Sequence, residues 1–217
     1  MYNTVIFDLD GTLLDTLGDL HASVNFALKE FSFPERTIDE IRRFIGNGVV
    51  KLMERSTPEG TDSQTQQKCL DAFREHYLLH MKDRTAPYDG ITDLLTGLKA
   101  AGIRTAVVSN KLHDAVVGLC EDYFNGLIDC AIGVSEEAER KPSPINVFKA
   151  MELLKAEKTD TVYVGDSEVD VQTAKNAGLP CIGVTWGFRD RAELAAAGAA
   201  FIAETVQETE RILLNKK

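Results

Sequence analysis

Polar and apolar positions alternate in two different ways along this chain. Short unbroken apolar runs recur as TVIF (4–7), IRTAVVS (103–109), CAIGV (130–134), TVYVGD (161–166), CIGVTW (181–186) and AAFIA (199–203). Runs of this length without a polar face read as parallel strands buried on both sides. From residue 90 onward, helical patterns separate them. In SPINVFKAMELL, Ser143 is the expected N-cap, Pro144 the first helical residue, and Ile145, Phe148 and Met151 fall at helical spacing. VDVQTAKNAGLP closes on Gly178 as C-cap with Pro180 beyond it, and DRAE (190–193) matches a capping box. Alternating β and α elements predict an α/β fold, a doubly wound parallel sheet.

Between residues 15 and about 84 no strand pattern occurs. Leu20, Val24, Ala27, Leu28 and Phe31 make one helical stripe, and TIDE (37–40) is a capping box for a second helix. Gly46-Asn47-Gly48 breaks that helix and a third follows. Cys69, Leu70, Phe73, Tyr77 and Met81 line a long fourth. The expected organisation is a core domain over 1–14 and 88–217 with a helical cap domain over 15–87. Hinges are expected near Asp15–Gly18 and Arg84–Asp89.

Ligands of open α/β sheets bind beyond the carboxyl ends of the strands. The first strand ends in Asp8, Asp10 and Thr12, and the second in Ser109 and Asn110. Lys141-Pro142 lies in the loop after the third, and Gly165, Asp166 and Asp170 follow the fourth. Exposed loops after strands account for one or two polar positions. They account poorly for four aspartates and a lysine at one edge.

Composition sharpens this picture. The chain has 217 residues, enough for one core plus a smaller unit, and a formal charge of −10 with a pI near 4.9. Such a surface disfavours nucleic acid and anionic membranes as partners. The four cysteines, Cys69, Cys120, Cys130 and Cys181, form no C-x-x-C pair and no zinc spacing with the four histidines. The start of the chain reads as a strand without a signal-peptide pattern. The longest uncharged apolar run, LAAAGAAFIA (194–203), is too short for a bilayer. A cytoplasmic protein is expected, monomer or homodimer left open.

Clustered carboxylates need a cation to stay charged together, and hard oxygen ligands favour Mg²⁺. Mg²⁺ and Lys141 would also let a phosphate approach so acidic a protein. The pair in FDLD then divides labour. Asp8 can attack phosphorus as a carboxylate nucleophile, giving an aspartyl-phosphate. Asp10, on the same side of an extended chain, can protonate the leaving alkoxide and then activate water.

FDLDGTLLDT (7–16), SN (109–110), KPSP (141–144) and GDSEVD (165–170), in this order and spacing, resemble the four motifs of the haloacid dehalogenase superfamily. The resemblance covers the full length and points to the phosphatases with a small helical cap. It implies that Asp8 is nucleophile and metal ligand, and that Asp10 is general acid/base with its backbone carbonyl on the metal. It implies that Ser109 and Lys141 hold the phosphoryl group with help from Asn110 and Thr12, that Asp166 ligates Mg²⁺, and that Asp170 supports the metal site. Dehalogenating relatives lack the second aspartate, so Asp10 argues for phosphoryl transfer. RRFIGNG (42–48) resembles the cap of phosphoglycolate phosphatases, with Arg43 (or Arg42) and Gly48 facing an anionic substrate; a simple turn between two helices is the alternative.

The expectation is therefore Mg²⁺-dependent hydrolysis of a small phosphorylated metabolite, with 2-phosphoglycolate as one candidate. Alternatives are a phosphomutase of the β-phosphoglucomutase kind, a pyrophosphatase, and a non-catalytic phosphate-ligand sensor. Several residues are expected to do less. His76 and His80 stand at i, i+4 as partly exposed helix residues rather than a metal pair, and Lys111 is a weaker phosphate candidate than Lys141. His21 and His113 read as ordinary helix positions, with a place at the cleft or pocket edge as the alternative, Trp186 and Phe188 as core, with the cleft wall as the alternative, and EEAER (136–140) as solvated loop.

Overall fold

The computed structural model describes residues 2–214. The chain divides into two compact units, one built from the chain up to Leu14 and from Pro87 onward, the other from Asp15–Ala86.

The first unit is a six-stranded parallel sheet. Its strands are β1 (Thr4–Phe7), β4 (Arg104–Leu112), β5 (Cys130–Val134), β6 (Thr161–Gly165), β7 (Cys181–Val184) and β8 (Phe201–Ala203), in the order β5-β4-β1-β6-β7-β8. The first strand is thus central, and the order reverses at its two sides, which creates the crevice where such sheets bind ligands. Its register pairs Phe7 with Val107 on one side and with Val164 on the other. Asp8 therefore emerges level with the chain just before Ser109 and just before Asp166. Side chains alternate across the sheet. Val5, Phe7, Val107, Val162, Val164 and Ile182 pack in one apolar cluster, and Ile6, Ala106, Val108, Tyr163 and Cys181 in the other. Helices α5 (Ile91–Ala100), α6 (His113–Phe124) and α10 (Val206–Leu214) contribute to the first cluster. Helices α7 (Ile145–Leu154), α8 (Glu168–Ala177) and α9 (Arg191–Ala197) contribute to the second.

The second unit packs α1 (Leu17–Glu30), α2 (Ile38–Phe44), α3 (Gly48–Ser56) and α4 (Ser63–His80). Leu20, Val24, Ala27, Leu28, Ile41, Leu52, Met53, Cys69, Leu70, Phe73 and Tyr77 are buried. Thr37 and Glu40 form the capping box read from TIDE. Buried Asp19 accepts bonds from the Arg84 N–H (3.1 Å), the Thr85 N–H (2.9 Å) and the Thr85 hydroxyl (2.8 Å), tying the returning chain to α1. The two chain crossings are the short strands β2 (Leu14–Asp15) and β3 (Ala86–Pro87), which pair with each other.

Some boundaries differ from the sequence pattern. β4 runs on to Leu112, with a register shift against β5 between Val108 and Leu112. Helix α7 starts at Ile145 with Pro144, not Ser143, at its N-cap. The segment EEAER is exposed over residues 136–138, as expected, but not at Glu139. Glu139 is buried in a 3₁₀ turn, where it accepts the N–H groups of Ser135 (2.9 Å) and Glu136 (3.2 Å) and pairs with Lys149. The four cysteines are free thiols, and no described helix is long and apolar enough to cross a membrane.

Candidate active site

Asp8, Ser109, Lys141, Asp166 and Asp170 are all buried at the carboxyl edge of the sheet. Each is fixed by a local feature of the chain. Asp8 continues the ladder of β1 by donating its N–H to the Val164 carbonyl (2.9 Å), and its Oδ1 accepts the Leu9 N–H (2.7 Å). Asp170 sits at the third position of α8. Ser167 caps that helix, and Asp170 Oδ2 accepts the Ser167 N–H (3.1 Å) and hydroxyl (2.6 Å), a reciprocal capping box. A Cβ on Gly165 would stand 2.4 Å from the Asp170 Cβ, so glycine there lets the helix start lie directly against β6. Asn110 holds the main chain of Lys141, accepting its N–H at 2.7 Å and donating to its carbonyl at 3.4 Å.

Lys141 is the electrostatic centre of this group. Its ammonium lies 2.8 Å from Asp8 Oδ1 and 2.7 Å from Asp170 Oδ1. Burial opposes its charge, but the attraction of Asp170 and Asp8 outweighs burial and holds its pKa above the ordinary lysine value. The hydroxyl of buried Tyr163 lies 3.4 Å from the same ammonium and 3.3 Å from Asp170 Oδ1, and it reaches the Val108 carbonyl at 3.2 Å.

Asp166 accepts the Thr12 hydroxyl on Oδ1 (3.1 Å) and the Phe188 N–H on Oδ2 (2.8 Å). Its pKa is pushed up to about 7, first by burial and then by the Asp170 charge. Burial, then Asp170, raises Asp8 well above the usual carboxylate range, against the pull of Lys141. One ammonium does not balance three buried carboxylates.

Among the described residues, Asp8, Asp166 and Asp170 form the one group whose ligand atoms lie within 4.8 Å of one another. Each carboxylate oxygen carries two lone pairs, so Asp8 Oδ2 and the two oxygens of Asp166, which accept one bond each, leave acceptor capacity toward a cation, whereas Asp170 already faces Ser167 twice on Oδ2 and Lys141 and Tyr163 on Oδ1. The backbone also makes room. A Cβ on Gly187 would stand 2.3 Å from the Gly11 carbonyl and 2.5 Å from Asp166 Oδ2, and one on Gly11 would stand 2.5 Å from Asp166 Oδ2. An all-oxygen donor set with excess negative charge fits a hard divalent cation.

Asp10 is not in that carboxylate group. Its Oδ1 faces the ammonium of Lys111 at 3.0 Å. Thr12, expected at the substrate, donates its hydroxyl to Asp166. Arg43 and Gly48 belong to the helical unit: Arg43 is exposed with its Nε on the Asp39 carbonyl (3.2 Å), and Gly48 opens α3. Arg55 holds the Gly46–Gly48 turn through the Phe44 carbonyl (2.7 Å) and Asn47 Oδ1 (2.8 Å). His76 and His80 stack at 4.2 Å, with Nδ1 atoms on Ser23 Oγ (3.0 Å) and Asp83 (2.8 Å). His113 Nδ1 accepts the Gly133 N–H (3.3 Å).

Sequence reasoning missed three contributors, Tyr163, Ser167 and Lys111 as the partner of Asp10, and ranked the cleft wall below core packing for Trp186 and Phe188. Trp186 donates its indole N–H to the Thr12 carbonyl (3.0 Å) while Phe188 holds Asp166. SEVD (167–170) carried a readable capping-box signal. A tyrosine in an aliphatic strand signals a buried hydroxyl in need of partners.

Known proteins place this arrangement. The model of the haloacid dehalogenase-like hydrolases matches residues 5–184. A phosphoglycolate phosphatase of Aquifex aeolicus is 34% identical over 185 residues, 85% of this chain and 85% of its own. A crystal structure from Lactobacillus delbrueckii subsp. bulgaricus, provisionally described as a phosphoglycolate phosphatase, superposes with a TM-score of 0.94 at 33% identity over 99% of both chains. CbbY from Rhodobacter sphaeroides, solved with phosphate, gives 0.75 at 28% identity over 94% of this chain and 95% of its own. On these matches, the chain belongs to the haloacid dehalogenase-like hydrolases and is a phosphatase of their phosphoglycolate phosphatase-like group.

Proposed function

We propose that this phosphatase hydrolyses 2-phosphoglycolate or a closely similar small phosphomonoester through an aspartyl-phosphate on Asp8, with Mg²⁺ as cofactor. The observation that carries this reading is the asymmetry of Asp8. Oδ1 is occupied by the Lys141 ammonium and the Leu9 N–H, which leaves Oδ2 to form a bond to phosphorus. Lys141 and Ser109 hold the phosphoryl oxygens, and Asn110 keeps the Lys141 main chain in place. As Asp8 Oδ2 bonds to phosphorus, the ester bond breaks and Asp10 gives its proton to the departing alkoxide. Asp10 then takes a proton from water, whose oxygen attacks phosphorus, returning Asp8 as a carboxylate and releasing inorganic phosphate.

Asp8, Asp166 and Asp170, with the Asp10 backbone carbonyl, would hold or support Mg²⁺, which when bound offsets charge on the phosphoryl oxygens. Tyr163 and Asp170 keep the Lys141 ammonium aimed at Asp8. The names of the relatives favour 2-phosphoglycolate within the class of small phosphomonoesters.

The test is phosphate release from 2-phosphoglycolate, hexose phosphates, nucleotides and pyrophosphate, with Mg²⁺ and with EDTA, for the wild type and Asp8→Asn. The proposal expects metal-dependent release, highest for 2-phosphoglycolate and abolished in Asp8→Asn. Hexose phosphates interconverted without phosphate release would overturn it in favour of a mutase.

A further inference from the structure

Lys111 stands at the end of β4, where side chains become exposed, and a lysine there ordinarily extends its ammonium into water. This one turns inward. Its side chain is 8% exposed and its ammonium is 3.0 Å from Asp10 Oδ1. Its main chain is fixed on both sides. The N–H donates to Ser109 Oγ (3.2 Å), and the carbonyl lies where a Cβ on Gly133 would approach to 2.5 Å. The buried cations Lys141 and Arg189 are likewise paired with carboxylates of the protein. Lys141 is shared by Asp8 and Asp170, and Arg189 is held by both oxygens of Glu168 at 2.8 and 3.3 Å.

The geometry points to Lys111 as the residue that selects the leaving group, by binding a carboxylate carried one carbon away from the ester oxygen. The inference rests on the proposed role of Asp10. A proton donor must lie about 3 Å from the oxygen it protonates, so an ammonium 3.0 Å from Asp10 Oδ1 lies within about 6 Å of that oxygen when Oδ1 carries the proton and within about 8 Å when Oδ2 does. In a two-carbon leaving group such as glycolate, ordinary bond lengths place the carboxylate oxygens roughly 3 to 4 Å from the ester oxygen. A leaving group that turns its carboxylate toward Asp10 Oδ1 brings it within hydrogen-bond reach of Lys111. The two lysines then divide the substrate: Lys141 on the side of the nucleophile, Lys111 on the side of the departing group. On a protein of charge −10, an anionic leaving group needs such a local counter-charge.

The experiment compares kcat/KM for 2-phosphoglycolate with that for 2-hydroxyethyl phosphate, which has a hydroxymethyl group in place of the carboxylate. The full chain is used with Mg²⁺, as wild type, Lys111→Met and Lys111→Arg. The wild type should prefer phosphoglycolate. Lys111→Met should reduce the ratio of the two values by about 10- to 100-fold, the scale of one charge-assisted hydrogen bond, mainly through KM. Lys111→Arg should keep most of the preference. Equal losses on both esters would make Lys111 a support for Asp10 alone and overturn the inference. A wild type that releases phosphate from neither ester would overturn the proposed hydrolysis itself, and this inference with it. Inhibition of the wild type by glycolate but not by ethylene glycol reads the same contact without a substitution; no difference between the two would count against it.

Discussion

Without its cation, this protein should lose stability as the pH rises from about 4 to 7, the reverse of ordinary acid denaturation. Asp166 protonates at about 7 in the folded chain, against 3.8 for an unperturbed aspartate. Between those values the folded state retains a proton that the unfolded state has released, so raising the pH favours unfolding, and the loss is complete above pH 7. A shift of about three units corresponds to roughly 4 kcal/mol at 1.36 kcal/mol per unit. Asp8 is raised too, so its contribution has the same sign, and the slope belongs to the carboxylate group as a whole. Glu139 acts in the opposite sense. Its bonds from Lys149 and the Ser135 and Glu136 N–H groups hold its pKa down to about 2, so its contribution is lost only below the ordinary glutamate range. For a chain of this size, 4 kcal/mol is on the order of 10 °C in Tm. The assay is thermal unfolding in EDTA at pH 5 and pH 8, repeated with saturating Mg²⁺ and in Asp166→Asn. The metal-free wild type should melt lower at pH 8, and Mg²⁺ should remove most of the difference. Asp166→Asn should show a shallower slope, though it loses one accepted hydrogen bond at every pH. A metal-free Tm as high at pH 8 as at pH 5, or an unchanged slope in Asp166→Asn, would refute the reasoning.

Two further substitutions probe how the site is held. Gly187→Ala forces a methyl group against the Gly11 carbonyl and Asp166. It should cost about 1–3 kcal/mol and raise the Mg²⁺ concentration needed for activity by tenfold or more. Gly118→Ala in α6, where a Cβ meets nothing within 4 Å, should instead stabilise by up to about 1 kcal/mol. Equal effects in the two variants would refute the close-packing account. Tyr163→Phe keeps the ring and removes the hydroxyl beside Lys141, Asp170 and the Val108 carbonyl. It should cost about 1–2 kcal/mol of stability and lower kcat severalfold; an unchanged kcat would remove Tyr163 from the positioning of Lys141.

The sheet was legible in the sequence because central parallel strands are buried on both faces, so TVIF and CAIGV stand out as unbroken apolar runs. The convergence of Asp8, Ser109, Lys141, Asp166 and Asp170 was legible because a doubly wound sheet gathers its strand ends at one edge. Pattern alone stopped at contacts between distant positions. Nothing local to Trp186 says that its N–H meets the Thr12 carbonyl, 174 residues earlier. The two lysines looked like competitors for one phosphate, whereas in the fold Lys111 faces Asp10 and Lys141 is shared by Asp8 and Asp170. Glu139 sits within a run of charges that reads as solvated, yet its carboxylate is committed to a turn and to Lys149. The i, i+4 spacing of His76 and His80 set them on one helix face, but only the fold shows their rings stacking.

The most direct test of the mechanism is to quench the enzyme with acid during turnover of 2-phosphoglycolate in Mg²⁺ and find the phosphoryl group by peptide mass spectrometry. The account predicts one phosphoryl group on the peptide that contains Asp8, absent from Asp8→Asn, which should also be inactive. Full turnover in Asp8→Asn, with no phosphopeptide in the wild type, would contradict it.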